Sequence, residues 1–234
     1  MKDPERDAVR SNQIVIFGTG RGANVATRYF RDDSTLEIAA YTIDDEYLQN
    51  KEFLGRPVVP FSRIERELSP VEYSMFIPLG FQHMNALRAE KFNEAKRKGY
   101  SMVSYVSSRI CAWEQPRIGE NCFILEANIF NYDVRIGDDV VLWSGNQIGD
   151  CARIEDHVWI SSHVVLSGNV TIGANAFLGV NATVSNNVQI GERSYVGANT
   201  LITQDTGQDS VYVVRGTMKM EQMDSLRFLE MIKK

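Results

Sequence analysis

The chain has 234 residues, 44% hydrophobic and 24% charged, which is room and composition for two modest globular domains. A net charge of −5 argues against nucleic-acid or anionic-membrane partners, and no apolar run approaches the roughly 20 residues that span a bilayer. Three cysteines (Cys111, Cys122, Cys151) form no disulfide framework, and with a polar N-terminus they predict a cytoplasmic protein.

Residues 1–11 read as a frayed leader. Gln13–Phe17 predicts a buried strand and residues 21–31 a helix, with Gly18, Gly20 and Ala23 between and after them in G-x-G-x-x-[G/A] spacing. Such a turn lets backbone amides approach a phosphate at a helix N-terminus, although glycines that only close a strand–helix turn look the same. A second strand at 36–42 runs into Asp44-Asp45, where a ribose or sugar hydroxyl would be held. The strand–helix–strand order predicts a small parallel sheet with helices on its faces. Substrate contacts are accordingly expected from Gly18, Thr19, Gly20, Asp44 and Asp45, and from Gly80 beyond the strand at 72–78.

Residues 51–60 read as a loop with a short strand, and 62–68 as a helical segment. A basic amphipathic helix is expected over 83–98, with Arg88 on a solvated face and within reach of a phosphate, and His83 as a helix-start residue. Residues 101–106 close this first domain, expected to span 1–110, and 111–117 join it to the next.

From Ile118 the pattern changes. Ile118, Ile124, Phe130, Ile136, Leu142 and every sixth residue to Ile202 are large and apolar, and the position four after each anchor is mostly small or β-branched. The position three after it favours Asn, Asp, Gly or His (Asn121, Asp133, Asp139, Gly145, His157, His163, Asn169, Asp205 among them), residues that tolerate positive φ at a corner. A period of six fits neither a helix nor a long strand; it fits short strands and tight corners, three hexads to a triangular coil of a β-helix. Five coils predict a prism about 24 Å tall. Asn128 and Asn146, one coil apart at inward positions, predict a buried amide ladder of structural purpose. After Thr206 a strand at 211–214 and an amphipathic helix (Met220, Met223, Leu226, Leu229, Ile232) are expected to cover the open end of the prism, giving domains 111–206 and 207–234.

These hexads, FGTGRGA at 17–23, Asp44-Asp45 and the block at 142–184 resemble bacterial hexapeptide-repeat sugar acetyltransferases of the sialic-acid O-acetyltransferase (NeuD) and bacillosamine N-acetyltransferase (PglD) type, over nearly the whole chain. The resemblance implies a Rossmann-like α/β N-terminal domain, a left-handed parallel β-helix and a C-terminal capping helix. It also implies a homotrimer, with acetyl-CoA between neighbouring prisms and a nucleotide-linked sugar at the N-terminal domain. Gly168, Val180 and Ala198 fall where relatives contact the cofactor. Trp159 and Trp143 lie at outward positions, expected in a groove between subunits rather than against the chain itself.

The chain departs from the family at one telling place. Where relatives carry a catalytic histidine this chain has Asp150, and GNQIGDC stands where GNHIGHH is usual. His163 is the best surviving imidazole, though its corner position favours histidine on backbone grounds alone; Asp150 is the second candidate base. Without a histidine, N-acetylation of an amino sugar is favoured over O-acetylation, because an amine needs no strong base. The alternative is a non-catalytic ligand- or partner-binding protein. A metal-dependent hydratase would need three histidines at a spacing that His83, His157 and His163 do not offer.

Overall fold

The computed structural model describes residues 12–216 and 223–232; the expected leader at 1–11, and Met220 in the tail, lie outside them. The N-terminal part is a small sheet with β1 (Gln13–Phe17) at its heart. The chain runs through α1 (Arg21–Asp33), β2 (Glu37–Ile43), β3 (Glu52–Phe53), β4 (Arg56–Pro60), α2 (Ile64–Glu67), β5 (Ser74–Phe76) and α3 (Ala86–Arg97). Strand order is β3-β4-β2-β1-β5, and β1 pairs in parallel with β2 on one side and β5 on the other. Strands buried on both faces read as near-continuous apolar runs, as IVIF in β1 does, and helices pack on both sides. The order reverses direction at β1, so a crevice opens beyond the carboxyl ends of β1 and β5.

The rest is a triangular solenoid. Its first face stacks seven strands, from Tyr105–Val106 to Val211–Tyr212; the second stacks six, from Cys111–Ala112 to Leu201–Ile202; the third stacks five, from Arg117–Ile118 to Gln189–Ile190. Every rung is parallel, with partners one coil apart. The anchors fill the axis with Ile, Leu and Val, closed around by the small residues four places on. This is the expected left-handed β-helix, but longer than read from the sequence. Val106 and Ala112 continue the hexad register backwards and pack on the core, so the solenoid takes over 105–117, while Met102 still pairs with Met75 at the edge of the sheet. Seven rungs on one face span about 29 Å.

The corners behave as their residue types require. Non-glycine residues in the left-handed region recur every six positions from Asn121 to Asn199, interrupted only by Gly145. Ala127, Cys151 and Arg193 hold this conformation without a favourable side chain, so the register, not the residue, dictates it. Asp205 does not join them; Asp209 does, because the last coil is cut short and Tyr195 pairs with Val211.

That shortening also explains a correction. Asp205 Oδ1 accepts the Gln189 amide at 2.8 Å, Thr206 Oγ1 accepts the Gly191 amide at 2.8 Å, and Val211–Tyr212 pairs with the last rung of the first face. The open end is therefore closed by loop and strand. α4 (Ser225–Ile232) is not its cap: Leu226, Phe228, Leu229 and Met231 are exposed. The asparagine ladder is as expected, with Asn128 Oδ1 accepting the Asn146 amide and Asn146 Oδ1 the Val164 amide, both buried.

Candidate functional site

The two parts meet along one edge of the prism, the corner between its third and first faces. Asn121, Asp139, His157 and Asn175 stand there one coil apart; Asn121 and Asn175 bond to the segment joining β5 to α3, and Asp139 and His157 to Arg88 in the first turn of α3. Asn121 brackets Ile77, accepting its amide at 2.8 Å and donating to its carbonyl at 3.2 Å. Asn85 Nδ2 donates to the carbonyls of Asn175 and Ala176. Between these lies Arg88, whose side chain is 1% exposed. Its guanidinium donates to Asp139 Oδ1 (3.0 Å), the carbonyls of Asp139 (3.0 Å) and His157 (2.9 Å), Asn85 Oδ1 (3.0 Å) and the Gly80 carbonyl (3.3 Å). Asp139 is itself fully buried and receives Asn121 Nδ2 at 2.7 Å and His157 Nδ1 at 2.8 Å. The expectation of a solvated, phosphate-reaching Arg88 is thus overturned: its fork is consumed inside the junction. α3 begins at Ala86, and His83, Met84 and Asn85 precede it in three successive left-handed conformations, so His83 does not start the helix.

This junction shapes a cavity of about 530 Å³. One wall is the turn after β1 (Gly18, Gly20, Arg21, Gly22), a second the segment after β5 (Pro78, Leu79, Gly80, Gln82), and the floor is the solenoid's first face, with Phe123, Val141, Trp143 and Trp159. The cavity occupies the crevice that the sheet order opens. Gly22 is required there: a Cβ would meet the Pro78 carbonyl oxygen at 2.1 Å. Trp159 packs edge-on against Phe81 at 5.3 Å, lies 6.0 Å from Trp143, and has the Arg88 guanidinium 5.7 Å from its ring. Both indoles therefore face the chain's own N-terminal sheet, which corrects their expected place in a groove between subunits. The reason is positional: the first face is the one the sheet sits on.

The other expected residues divide. Gly18, Gly20 and Gly80 line the cavity, while Thr19 opens to a neighbouring depression with Arg21 and Phe53. The acidic pair is engaged by the chain itself. Asp44 binds Lys91 Nζ at 2.6 Å, and Asp45 accepts the Ser62 hydroxyl (2.8 Å) and amide (3.3 Å), which hold its carboxyl below the usual range. Neither lines the cavity.

Asp150 and His163 occupy different edges of the prism, on either side of the second face. Asp150 sits between the second and third faces, with Tyr132 one coil before it and Gly168 one coil after; Tyr132 Oη lies 3.3 Å from its Oδ2. The Gly168 amide is not free, since it donates to Asn186 Oδ1 at 2.8 Å. His163 sits between the first and second faces, exposed and left-handed, its ring laid over Gly145 one coil earlier, where a Cβ would meet it at 2.7 Å. Val180 and Ala198 follow it along that edge. The three expected cofactor positions are thus split, Gly168 on one edge and Val180 with Ala198 on the other. Sequence reasoning missed Gly22, Phe81, Asn85 and Asp139; only the third glycine of GTGRG was a signal for any of them.

Comparison with known proteins follows the same architecture. The bacterial transferase hexapeptide (six repeats) family model matches residues 151–186 and 172–204. No curated protein matches the chain. Among solved structures, perosamine N-acetyltransferase (PerB) from Caulobacter crescentus, in complex with CoA and GDP-perosamine, superposes with a TM-score of 0.74 at 27% identity, covering 85% of this chain and 92% of that one. WeeI from Acinetobacter baumannii (TM-score 0.72, 16% identity, 85% and 94% covered) and the acetyltransferase domain of PglB from Neisseria gonorrhoeae (0.71, 19%, 83% and 92%) share the fold. The repeats match those of hexapeptide transferases, and the fold is that of hexapeptide-repeat acetyltransferases. Within that class it is similar to the sugar acetyltransferases of the NeuD/PglD type.

Proposed function

We propose that the protein transfers an acetyl group from acetyl-CoA to the amine of a nucleotide-linked amino sugar, in the synthesis of surface polysaccharide. The observation that carries this reading is the interdomain cavity. Its glycine turn opens at the N-terminus of α1, where backbone amides suit a diphosphate, and Arg21 supplies a cation beside it. The opposite wall is the aromatic face of the solenoid, on which an apolar sugar face stacks. The PerB relative, which binds CoA and GDP-perosamine, supports the pairing of cofactor and acceptor.

Acetyl-CoA lies against a solenoid edge. The amides of Val180 and Ala198 have no acceptor among the described residues and stand one coil apart, spacing that suits an extended pantetheine arm. The second face between the two edges carries exposed Ile129, Val165 and Leu201 in one outward column. We read that stripe as the packing face of a homotrimer. Neighbouring copies then bring the edge of Asp150 and Gly168 towards the edge of His163, Val180 and Ala198, and the groove between them takes the cofactor.

In the reaction, the neutral amine attacks the thioester carbonyl carbon, a C–N bond forms, and the carbonyl π pair moves to oxygen. Collapse breaks the C–S bond, and the amine proton passes to Asp150 and on to the departing thiolate. An uncharged amine is already nucleophilic, so a carboxylate suffices where a hydroxyl acceptor would need a stronger base; positioning supplies the larger part of the rate.

The test is thiol release from acetyl-CoA with UDP-, dTDP- and GDP-linked amino sugars, with GDP-perosamine as one probe, followed by mass analysis of product. Amide product with one of them supports the reading. Ester product alone overturns N-acetylation, and no binding of acetyl-CoA would favour a non-catalytic binding protein.

A further inference from the structure

The edge of the prism that bears Asp150 carries a second functional group. Tyr132 precedes Asp150 by one coil in the same corner column and donates its hydroxyl to Asp150 Oδ2 at 3.3 Å. The whole carboxylate lies over Gly168 one coil further on, where a methyl would meet Oδ1 at 2.9 Å and Oδ2 at 3.2 Å. Both oxygens thus face the bare backbone of a glycine, and of the two only Oδ2 receives a hydrogen bond among the described residues. Tyr132 itself is about half exposed, so nothing in its packing demands a hydroxyl.

We propose that Tyr132 is a positioning residue for acetyl transfer, holding Asp150 by Oδ2 so that Oδ1 receives the proton shed by the acceptor amine. The proposal rests on the acetyl-transfer reading and on Asp150 as its base. In the step, the amine lone pair forms the C–N bond to the thioester carbon, and collapse expels the thiolate. The N–H proton moves to Oδ1 and from there to sulfur, and the phenol keeps its own proton throughout. A carboxylate on an open corner turns freely about two torsions. Fixing one oxygen removes that freedom before the reaction, and small misplacements of a reacting group are costly in rate. The Asp150 carboxylate, by its charge and by the hydrogen bond it accepts, raises the Tyr132 phenol above its ordinary range, so the phenol remains a donor across the neutral range.

Steady-state kinetics on the acceptor selected by the panel above, with Tyr132→Phe, Asp150→Asn and the double variant, test the proposal. Tyr132→Phe is expected to lower kcat about tenfold while KM stays within about threefold, and to change nothing further in the Asp150→Asn background, since the two residues act as one unit. A near-ultraviolet phenol titration gives a second readout independent of turnover. The Tyr132 signal is taken as the difference between two proteins that differ only by Tyr132→Phe, once with Asp150 in place and once with Asp150→Asn. Tyr132 should ionise at lower pH in the Asp150→Asn pair. Unchanged kcat in Tyr132→Phe, an equal loss in both backgrounds, or a phenol titration indifferent to Asp150 would each overturn the proposal. If no amino sugar is acetylated by the unaltered protein, that failure belongs to the acetyl-transfer reading, and the titration alone decides whether Tyr132 holds Asp150.

Discussion

Replacing Arg88 with Met is the sharpest perturbation of the domain junction. The substitution keeps the unbranched apolar stem and removes the guanidinium, so five donated hydrogen bonds vanish together. Asp139 is left as a buried carboxylate with only Asn121 and His157 to face it. Stranding one charge of a buried pair costs about 3–5 kcal/mol. At roughly 2–4 °C per kcal/mol for a chain of this size, the melting temperature should fall by roughly 6–20 °C. Urea unfolding should show the midpoint lowered at a similar m-value. The companion variant, Arg88→Met with Asp139→Asn, removes the stranded charge while preserving shape, and should recover a substantial part of the loss. The expected coupling lies at the upper end of the roughly 0.5–3 kcal/mol seen for residues in contact. A single variant costing under about 1 kcal/mol, or a double variant whose loss is the sum of the two singles, would refute the view that this ion pair locks the sheet to the solenoid.

Further outcomes follow from other residues. Gly22→Ala forces a methyl into the Pro78 carbonyl; it should weaken acceptor binding, read as a several-fold rise in KM for the nucleotide sugar, with acetyl-CoA binding by calorimetry unchanged. Burial pushes the Cys122 thiol up to about 12 whereas Cys111 is exposed. A disulfide reagent near pH 8 should therefore label Cys111 rapidly and leave Cys122 untouched until the protein is unfolded, as mass mapping would show. Asp33 accepts hydrogen bonds from Ser108 N, Tyr105 Oη and Ser107 Oγ, which hold its carboxyl well below the usual range. A depressed folded-state pKa stabilises above the unfolded value and is lost as pH falls through the folded one. The stability gap between the protein and Asp33→Asn should therefore be full at pH 7 and shrink below about pH 4, as urea midpoints across pH would reveal.

How far the sequence carries is decided by whether the informative residue is local. The hexad anchors repeat one physical demand many times, so Ile118 to Ile202 declare the solenoid without any structure. β1 is legible for a similar reason: an apolar run flanked by a glycine turn has few other meanings. The misreadings fall where two distant segments meet. Arg88 looks solvated in its helix because the charge that neutralises it, Asp139, lies fifty-one positions away. Asp139 in turn resembles Asp133, a corner aspartate with no such task, since both satisfy the same backbone demand. Trp159 was legible as outward but not as covered, because which face the sheet rests on is written in Asn121, His157 and Asn175, whose residue types corners favour anyway. Asp150 and His163 share a hexad grammar, and counting by eighteen already separates them by edge; what a count does not show is that Tyr132 reaches one of them.

The row Asn121, Asp139, His157 and Asn175 has a consequence for how such a molecule can change in length. The contacts of this row fall on four successive coils near the amino-terminal end of the solenoid, and α1 adds Tyr29 to Glu126 and Asp33 to Tyr105, Ser107 and Ser108 at that same end. Coils added or removed past Asn175 alter the stack downstream and leave the seated sheet and its cavity as they were. A coil inserted among those four would move half the attachment points by one rung, about 4.8 Å, and tear the seat apart. Growth by duplication is therefore tolerated at one end and forbidden at the other, and the molecule has a polarity of evolvability along its axis.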